Sequence, residues 1–453
     1  MHMLNKFSKK THVKSILTLV GGTAFSQVVS LIALPIITRI YAPEDFGVLA
    51  LFSSIVTILA IAGCLRYEIA IPLPKSDDEA FGLMLLSLLI SAFFSLFLFF
   101  LVFLCTEYFD RILAGNAISK FLFLIPLGVW LTSSYNAIQY WATRKKEFKA
   151  IATTRMSQAC TAAFLQIVCG LIVSSPVGLL IGQICQNGAG VVNLTRKAVS
   201  NFWQRVGNVR WSQMKRISQE YQRFPKYSAA EGLANSAGIQ LPLMLIATMA
   251  VSSEAGFLLL AMRVLTAPMG LIGGAVAQVY YSNAAEKYRE ENIKEITLQT
   301  LGALLKIGVG PILFLSIVAP NIFPLIFGEN WERAGVLVGW MGGWMAIQFI
   351  SSPVSMSMHI RGWQKGMLVL TIFGLVVRVG SVLLAYCVNS IYMVETYIVS
   401  STVFYAICLF VFVRAAQVQV LDFVRAVFRS GLYIVVWIGV GLIFNRSYGW
   451  FSL

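Results

Sequence analysis

Residues 80–106, AFGLMLLSLLISAFFSLFLFFLVFLCT, decide the fold, because they form a long apolar run without one charged side chain. A helix needs about 20 mainly apolar residues to cross the hydrocarbon core of a bilayer. The rest of the chain has the same character: 58% of its 453 residues are hydrophobic and 12% are charged. Soluble domains contain roughly 45–50% apolar and about 25% charged residues. The sequence therefore predicts an all-α polytopic membrane protein.

Further runs of this kind predict about twelve transmembrane helices in total. The predicted spans are residues 15–40, 46–71, 80–106, 118–142, 150–174, 178–195, 228–250, 254–281, 297–319, 333–356, 366–388 and 392–413. A shorter apolar stretch, 432–444, is interpreted as an extra or an interfacial helix. The first run continues to Ile40, which is too long for the core of about 7–15 apolar residues in a cleaved signal peptide.

The net charge of +15 comes from basic residues that are concentrated in alternate loops. Residues 1–14 contain four lysines, and basic clusters follow at 144–149 and in the long loop 196–227. With these on the cytoplasmic side, twelve spans satisfy the positive-inside rule. This predicts a cytoplasmic N-terminus and no nucleic-acid partner. The seven cysteines include no C-x-x-C pair, so neither a disulfide framework nor a metal site is expected.

The longest polar connection divides the chain into two halves. The predicted organisation is a cytoplasmic N-terminus (1–14), a six-helix bundle (15–196), a cytoplasmic linker (197–227), a second six-helix bundle (228–414) and a C-terminal segment (415–453). The halves share a weak repeat, since YAPEDFGVLAL (41–51) and VSSEAGFLLLA (251–261) each enter a span with an acid followed by a glycine. Repeats of six spans have the same topology. A pseudo-two-fold axis along the membrane normal is therefore expected, with the substrate site between the bundles.

Five further segments occur in an order that is typical of one family. They are LPIITRIYAPEDFGVLAL (34–51), LRYEIAIPLPKSDDEA (65–80), YQRFPKYSAAEGLANSAGIQLPLMLI (221–246), FPLIFGENWERAGVLV (323–338) and ISSPVSMSMHIRGWQKGMLVL (350–370). In this ordered set the chain resembles the polysaccharide flippases, the Wzx-type transporters of the multidrug/oligosaccharidyl-lipid/polysaccharide (MOP) exporter superfamily. The resemblance extends to about residue 414, and the stretch from Gln417 onward matches no part of the family.

The resemblance implies a V-shaped pair of helix bundles, as in the MATE transporters of the superfamily. It implies transport of an undecaprenyl-diphosphate-linked oligosaccharide from the inner to the outer leaflet of the bacterial cytoplasmic membrane. That step serves O-antigen, capsule or exopolysaccharide synthesis. No cofactor is expected, and the energy would come from the membrane potential or from a proton or sodium gradient. Besides membrane lipid, a polysaccharide polymerase and a chain-length regulator are candidate partners.

A diphosphate must cross a region where unpaired charge is costly, so ionisable residues inside spans are candidates for the transport path. Arg66, Arg263 and Arg378 are expected to line a hydrated cavity, because a guanidinium group stays charged and donates paired hydrogen bonds to phosphate. Lys306 and Arg155 are further candidates for binding the diphosphate.

Two acids, Glu68 and Glu231, are the candidate sites for cation coupling, since a poorly hydrated carboxylate has a raised pKa and can exchange a proton. Other interpretations stay open. Arg155 and Glu231 lie near span ends and could reach the interface, and Glu68 could be the fixed counter-charge of an arginine. Residues 66 and 68 do not share a helix face, so no ion pair is expected between them.

Two other functions compete with a flippase. A cation-coupled drug exporter of the same superfamily would be expected to hold more acids than arginines in its spans, which is the reverse of this chain. A membrane polysaccharide polymerase or glycosyltransferase would present catalytic residues in a sizeable external loop. The longest predicted external loop, about 107–117, offers only Glu107, Asp110 and Arg111, and no H-E-x-x-H or phosphate-binding loop motif is present. A transporter without enzymatic activity is therefore the prediction.

Overall fold

The computed structural model describes residues 2–108, 117–173, 175–199, 202–209, 211–250, 253–289, 293–361 and 363–451. Their regular structure is helical, with no β-strand in these ranges. The long helices are α1 (His2–Ile40), α2 (Pro43–Gly63), α3 (Asp77–Leu104), α4 (Leu124–Arg144), α5 (Phe148–Ile172), α6 (Val177–Ala198), α7 (Ala229–Met249), α8 (Glu254–Arg289), α9 (Ile293–Phe327), α10 (Glu332–Val354), α11 (Gln364–Val388), α12 (Met393–Ala415) and α13 (Val420–Phe451). The predicted all-α fold with about twelve membrane helices is confirmed.

Eleven helices in the described part of the chain are long and apolar enough to cross a membrane, by length and composition. Helices α4 and α8 fall outside this set. The polar run TSSYNAIQY (132–140) lowers the hydropathy of α4, whereas part of α8 lies outside the residues on which this set is defined. Most of the predicted external loop 107–117, including Asp110 and Arg111, lies outside the described residues.

Helix α13 is longer than the sequence predicts. The apolar stretch 432–444 suggests a short element, whereas the helix begins at Val420 and its apolar part is long enough to span. The difference arises because Asp422, Arg425 and Arg429 interrupt the hydropathy without interrupting the helix. Their spacing of three and then four residues places them on one helix face.

The chain divides into two compact units. The first contains residues 1–41 and 48–244, and the second contains residues 42–47 and 245–453. The division by contacts falls within α7, whereas the boundaries at 196, 227 and 414 come from the sequence alone and stay a prediction.

Small residues allow close packing within the first unit. The hydroxyl of Tyr41, at the end of α1, donates a hydrogen bond to the Gln166 carbonyl of α5 at 2.7 Å. A Cβ at Gly170 would lie 2.7 Å from the same Tyr41 ring, and a Cβ at Gly178 would also collide with it. Helices of membrane proteins approach closely where such small residues lie at their interface.

The second unit includes residues 42–47, which contain the first turn of α2. Phe46 of this turn packs edge-on against Trp331 at a centroid distance of 4.7 Å, and Phe257 contacts the same indole at 5.9 Å. Gly256 lies directly against the backbone of Pro43 and Gly47. The two glycines of the predicted sequence repeat therefore meet in this unit.

Candidate functional site

The first candidate site lies in the first unit, where α2 ends earlier than the sequence predicts. The helix stops at Gly63, and Leu65 and Arg66 adopt left-handed backbone angles with φ of 48° and 63°. Such a conformation costs roughly 1–2 kcal/mol for each residue with a side chain. Residues Tyr67–Ala70 then form one further helical turn. The Tyr67 hydroxyl fixes this turn by donating to the Ser218 carbonyl at 3.0 Å.

The helix break brings Arg66 and Glu68 into an ion pair that the sequence did not predict. Arg66 Nη1 lies 3.6 Å from Glu68 Oε1, with 26% of the arginine side chain and 4% of the glutamate side chain exposed. The expectation that these two side chains do not pair is wrong. It assumed a continuous helix to residue 71, whereas the break rotates Arg66 toward Glu68.

Glu68 is a buried acid, with 3% of its surface exposed. Burial raises the pKa of its carboxyl group above the ordinary value, although its own backbone hydrogen bond and Arg66 both oppose this rise. Glu68 Oε2 and Arg66 Nε are buried and have no hydrogen-bond partner among the described residues. The pair therefore retains one acceptor and one donor that a proton, a water or a ligand can satisfy.

Gly232 of α7 is a part of this site that the sequence did not indicate. A Cβ at this position would lie 2.7 Å from Nε and 2.8 Å from Cζ of Arg66. The guanidinium group thus occupies the space that a side chain would need. The resemblance segment 221–246 contains this glycine, but nothing in the sequence connects it with Arg66.

A cavity of about 150 Å³ lies among α2, α4 and α6 of the first unit. Its polar lining carries no charge. It consists of the hydroxyl and amide groups of Ser53, Thr57, Thr132, Gln183 and Asn187. Asn187 Nδ2 donates to Thr132 Oγ1 at 2.8 Å, and Ser53 Oγ is buried without a hydrogen-bond partner among the described residues. These residues were not predicted. The signal was the four-residue spacing of Ser53 with Thr57 and of Gln183 with Asn187, which places each pair on one helix face.

Arg155 of α5 also lies within the first unit and is half-buried. Its Nη1 donates to Thr23 Oγ1 of α1 at 2.7 Å, and it interacts with Tyr135 of α4. These contacts bind it to two neighbouring helices, in contrast to the open interpretation in which it reaches the interface. Glu231, the other candidate acid, is exposed at the start of α7 and lacks the burial that distinguishes Glu68.

Arg378 is buried in the second unit, with 3% of its surface exposed. Its Nε donates to the Gly374 carbonyl at 2.9 Å, and its Cζ lies 4.6 Å from the centre of the Phe404 ring. No described carboxylate lies within ion-pair distance. Tyr397 and Trp344, which pack edge-on at 5.3 Å, each have a buried polar atom without a partner among the described residues.

Arg263 and Lys306 both lie in the second unit. Arg263, in α8, is partly exposed and makes no ion pair with a described residue. Lys306 lies exposed in a π-helical turn of α9, Leu305–Val309, and its Nζ is 5.6 Å from the centre of the Tyr433 ring of α13. Whether the candidate residues of the two units act on one substrate stays a prediction.

An ion-pair triad in the second unit was not assigned a role from the sequence. Arg333 donates from Nε to Glu254 at 3.0 Å and from Nη2 to Glu395 at 2.5 Å. The three residues lie in the first turns of α8, α10 and α12, so the triad connects three helix ends. Helix N-termini favour carboxylates, and Arg333 pairs with the two that meet here and offsets half of their charge.

These features define a polytopic all-α membrane protein with buried or partly buried arginines in both of its units. The described residues contain no cluster of three or more His, Cys, Asp or Glu side chains that could hold a metal ion. A family model described as "Polysaccharide biosynthesis protein" matches residues 36–335. The chain therefore belongs to the polysaccharide biosynthesis protein family.

Solved structures show the same fold. The lipid II flippase MurJ in an inward closed conformation is 12% identical, with 96% of this chain and 98% of that chain covered at a TM-score of 0.69. An inward-facing multidrug resistance MATE transporter of the MOP superfamily is 15% identical, with 92% of this chain and 95% of that chain covered at a TM-score of 0.57. A MOP superfamily transporter from Pyrococcus furiosus is 13% identical, with 93% of this chain and 96% of that chain covered at a TM-score of 0.54. No curated protein sequence matches significantly.

Proposed function

We propose that this protein is a flippase that moves an undecaprenyl-diphosphate-linked oligosaccharide from the inner to the outer leaflet of the bacterial cytoplasmic membrane by alternating access. It would act in the synthesis of a surface polysaccharide such as O-antigen, capsule or exopolysaccharide. The family match and the fold support a transport role in polysaccharide biosynthesis. The basic loops of the sequence support a cytoplasmic N-terminus.

The observation that carries the proposal is the excess of interior arginine over acid. Arg155, Arg263 and Arg378 make no ion pair with a described carboxylate, although an unpaired charge inside a membrane protein is costly. An anionic group of the substrate would supply the missing partner. A diphosphate matches a guanidinium fork because its oxygens accept two parallel hydrogen bonds.

The uncharged cavity of the first unit supports the proposal that the substrate contains sugars. Hydroxyl and amide groups such as those of Thr132 and Asn187 both donate and accept hydrogen bonds. They suit the hydroxyl groups of a sugar, which carry no charge. A drug exporter that takes organic cations would need acids in this position.

Glu68 and Arg66 provide a mechanism for coupling to a proton gradient. When Glu68 is ionised, it holds the guanidinium group of Arg66 at 3.6 Å. When Glu68 binds a proton, this attraction is lost and Arg66 becomes available to a phosphate. Proton binding to Glu68 and diphosphate binding to Arg66 would therefore support each other, as thermodynamic linkage requires.

The test is complementation of a strain that lacks this gene. Surface polysaccharide and undecaprenyl-linked repeat units in the inner leaflet are measured after restoring the wild type, Arg66→Ala or Arg378→Ala. The control is Arg414→Ala, at an exposed position in the last turn of α12. Loss of a charged hydrogen bond costs about 1.5–3 kcal/mol, so at least about a tenfold loss of flux is expected for the first two variants and none for the control.

Folding and function are separated by measuring the amount and the thermal stability of each variant in the membrane, together with Arg378→Lys, which keeps the charge. Accumulation of unflipped units in the two arginine variants, at normal protein levels, is the expected result. Normal surface polysaccharide with an altered sensitivity to drugs would overturn the proposal and favour an exporter.

A further inference from the structure

A cleft of about 660 Å³ lies between α9 and α13 of the second unit. This volume is within the range of about 300–1,000 Å³ that is usual for small-molecule sites. The cleft is bounded at one end by the ion pair of Lys294 Nζ with Asp422 Oδ2 at 2.6 Å. Beyond its other end the helices touch, since a Cβ at Gly310 would lie 2.8 Å from Cγ of Trp437.

The cleft is basic along its walls. Lys306, Arg425 and Arg429 line it together with a single carboxylate, Asp422, so its net charge is +2. Asp422 is already paired, because Lys294 contacts it and Arg425 Nη1 lies 3.7 Å from its Oδ1. The remaining positive charge on Lys306 and Arg429 has no ion-pair partner among the described residues.

A buried hydroxyl points to a ligand as well. Ser430 lines the cleft and is 1% exposed, yet its Oγ has no hydrogen-bond partner in the described part of the chain. Buried polar groups are almost always hydrogen-bonded. Lys306 is presented by a π-helical turn, and such turns within α-helices occur frequently at functional sites.

The position along the helices indicates the level of lipid headgroups. Helix α9 has 35 residues, or about 52 Å at 1.5 Å per residue, against a hydrocarbon core of about 30 Å. Residues 307–327 carry no charge and are long enough to cross that core. The cleft is lined by the preceding part of α9 and by the charged start of α13, so this register places it just outside the core. Lys306 then lies at the membrane edge, whereas the predicted span 297–319 would place it inside.

Apolar side chains continue from the cleft toward the membrane core. Ile307 in the cleft is 58% exposed, and Leu432 and Val436 of α13 follow as exposed apolar residues. Cations beside a hydroxyl, followed by an exposed apolar surface, match a molecule with a phosphate at one end and hydrocarbon chains at the other.

We propose that this cleft binds the phosphate of an anionic phospholipid headgroup, with the acyl chains along the exposed face of α9 and α13. Arg429 and Lys306 contact the phosphate oxygens, and Ser430 donates its hydroxyl hydrogen. This inference needs only a membrane-embedded chain and does not rest on the proposed transport of an oligosaccharide.

The test counts lipid that stays bound to the purified full chain, by native mass spectrometry, after exposure to phosphatidylglycerol or phosphatidylcholine. The variants are Lys306→Gln/Arg429→Gln and the charge-preserving Lys306→Arg/Arg429→Lys. The control is Arg414→Gln, which removes an exposed cation outside the cleft. A basic residue near an anionic membrane surface contributes about fivefold in affinity, so the neutral double variant should lose about 25-fold. The other two should stay within about twofold.

Removing the hydroxyl by Ser430→Ala should weaken phosphatidylglycerol binding by about fivefold without a change in charge. Thermal unfolding of each variant in detergent shows that the loss is not one of folding. Equal retention of phosphatidylglycerol by the neutral double variant and the wild type would overturn the proposal. Equal binding of phosphatidylcholine would do the same, and displacement of the lipid by millimolar inorganic phosphate alone would assign the cleft to a free anion instead.

Discussion

Replacing Gly256 by alanine tests the contact between the turn 42–47 and the start of α8. A Cβ at this position would lie 1.9 Å from the carbonyl oxygen of Pro43 and 3.1 Å from the amide nitrogen of Gly47. Real Cβ atoms essentially never approach closer than 3.0 Å, so the turn would have to move by 1.1 Å (3.0 − 1.9). Pro43 is part of the backbone of the first turn of α2 and cannot rotate away as a side chain would.

The same substitution at Gly270 provides the control. Gly270 lies in the same helix and has no atom within 4 Å of the added Cβ. Alanine in place of glycine within a helix stabilises by roughly 0.5–1 kcal/mol. At Gly256 this gain is opposed by an overpacking cost of typically about 1–3 kcal/mol. Gly256→Ala is therefore expected to be less stable than Gly270→Ala by about 1–3 kcal/mol.

The assay is thermal unfolding of the purified protein in detergent, followed through tryptophan fluorescence. Trp331, one of ten tryptophans, contributes to this signal and packs against Phe46 of the displaced turn. A lower midpoint for Gly256→Ala and an equal or higher one for Gly270→Ala are expected. If both variants shifted in the same direction by the same amount, the close approach of the turn to Gly256 would be refuted.

Two further predictions concern charged groups. Arg333→Gln leaves Glu254 and Glu395 close together without their cation. It should destabilise the protein by about 1–3 kcal/mol, which lies between the costs of breaking exposed and buried ion pairs. The control Arg216→Gln breaks a pair whose arginine is 62% exposed and should cost less than about 1 kcal/mol in the same thermal measurement. Because the pKa of folded Glu68 is raised above its ordinary value of 4.5, the folded state binds the proton more tightly, so the free energy of unfolding falls as the pH rises from 4.5 to the raised value. Glu68→Gln should remove this slope of stability against pH. An unchanged slope in that variant would contradict the assignment of the raised pKa to Glu68.

The architecture could be predicted because hydropathy depends on sequence alone. A run such as 80–106 specifies a spanning helix wherever it lies, and the described α3 covers residues 77–104. Prediction was weaker where charges lie on one face of a helix. In α13, Asp422 pairs with Lys294 of α9, so the start of that helix depends on a partner more than a hundred residues away.

The candidate site could be predicted only in part. Arg66, Glu68 and Arg378 were identified because a charge in an apolar segment is conspicuous. The surroundings of these residues could not be predicted, because the helix break at residues 65 and 66 involves leucine and arginine. Neither residue favours left-handed backbone angles as glycine does. The contact of Gly232 with Arg66 likewise depends on the tertiary packing of α7, and no local pattern reports it.

The combination at residues 65–68 is itself an argument for function. Two left-handed residues with side chains cost roughly 2–4 kcal/mol together, and a buried carboxylate with a raised pKa adds a further cost at neutral pH. A glycine at position 65 would relieve part of the strain, and a glutamine at position 68 would remove the charge. Strain of this kind persists where the surrounding structure holds it, and it clusters at binding and switch sites. The strain at the pair of Arg66 with Glu68 therefore supports the proposal that this pair exchanges a proton or an anion.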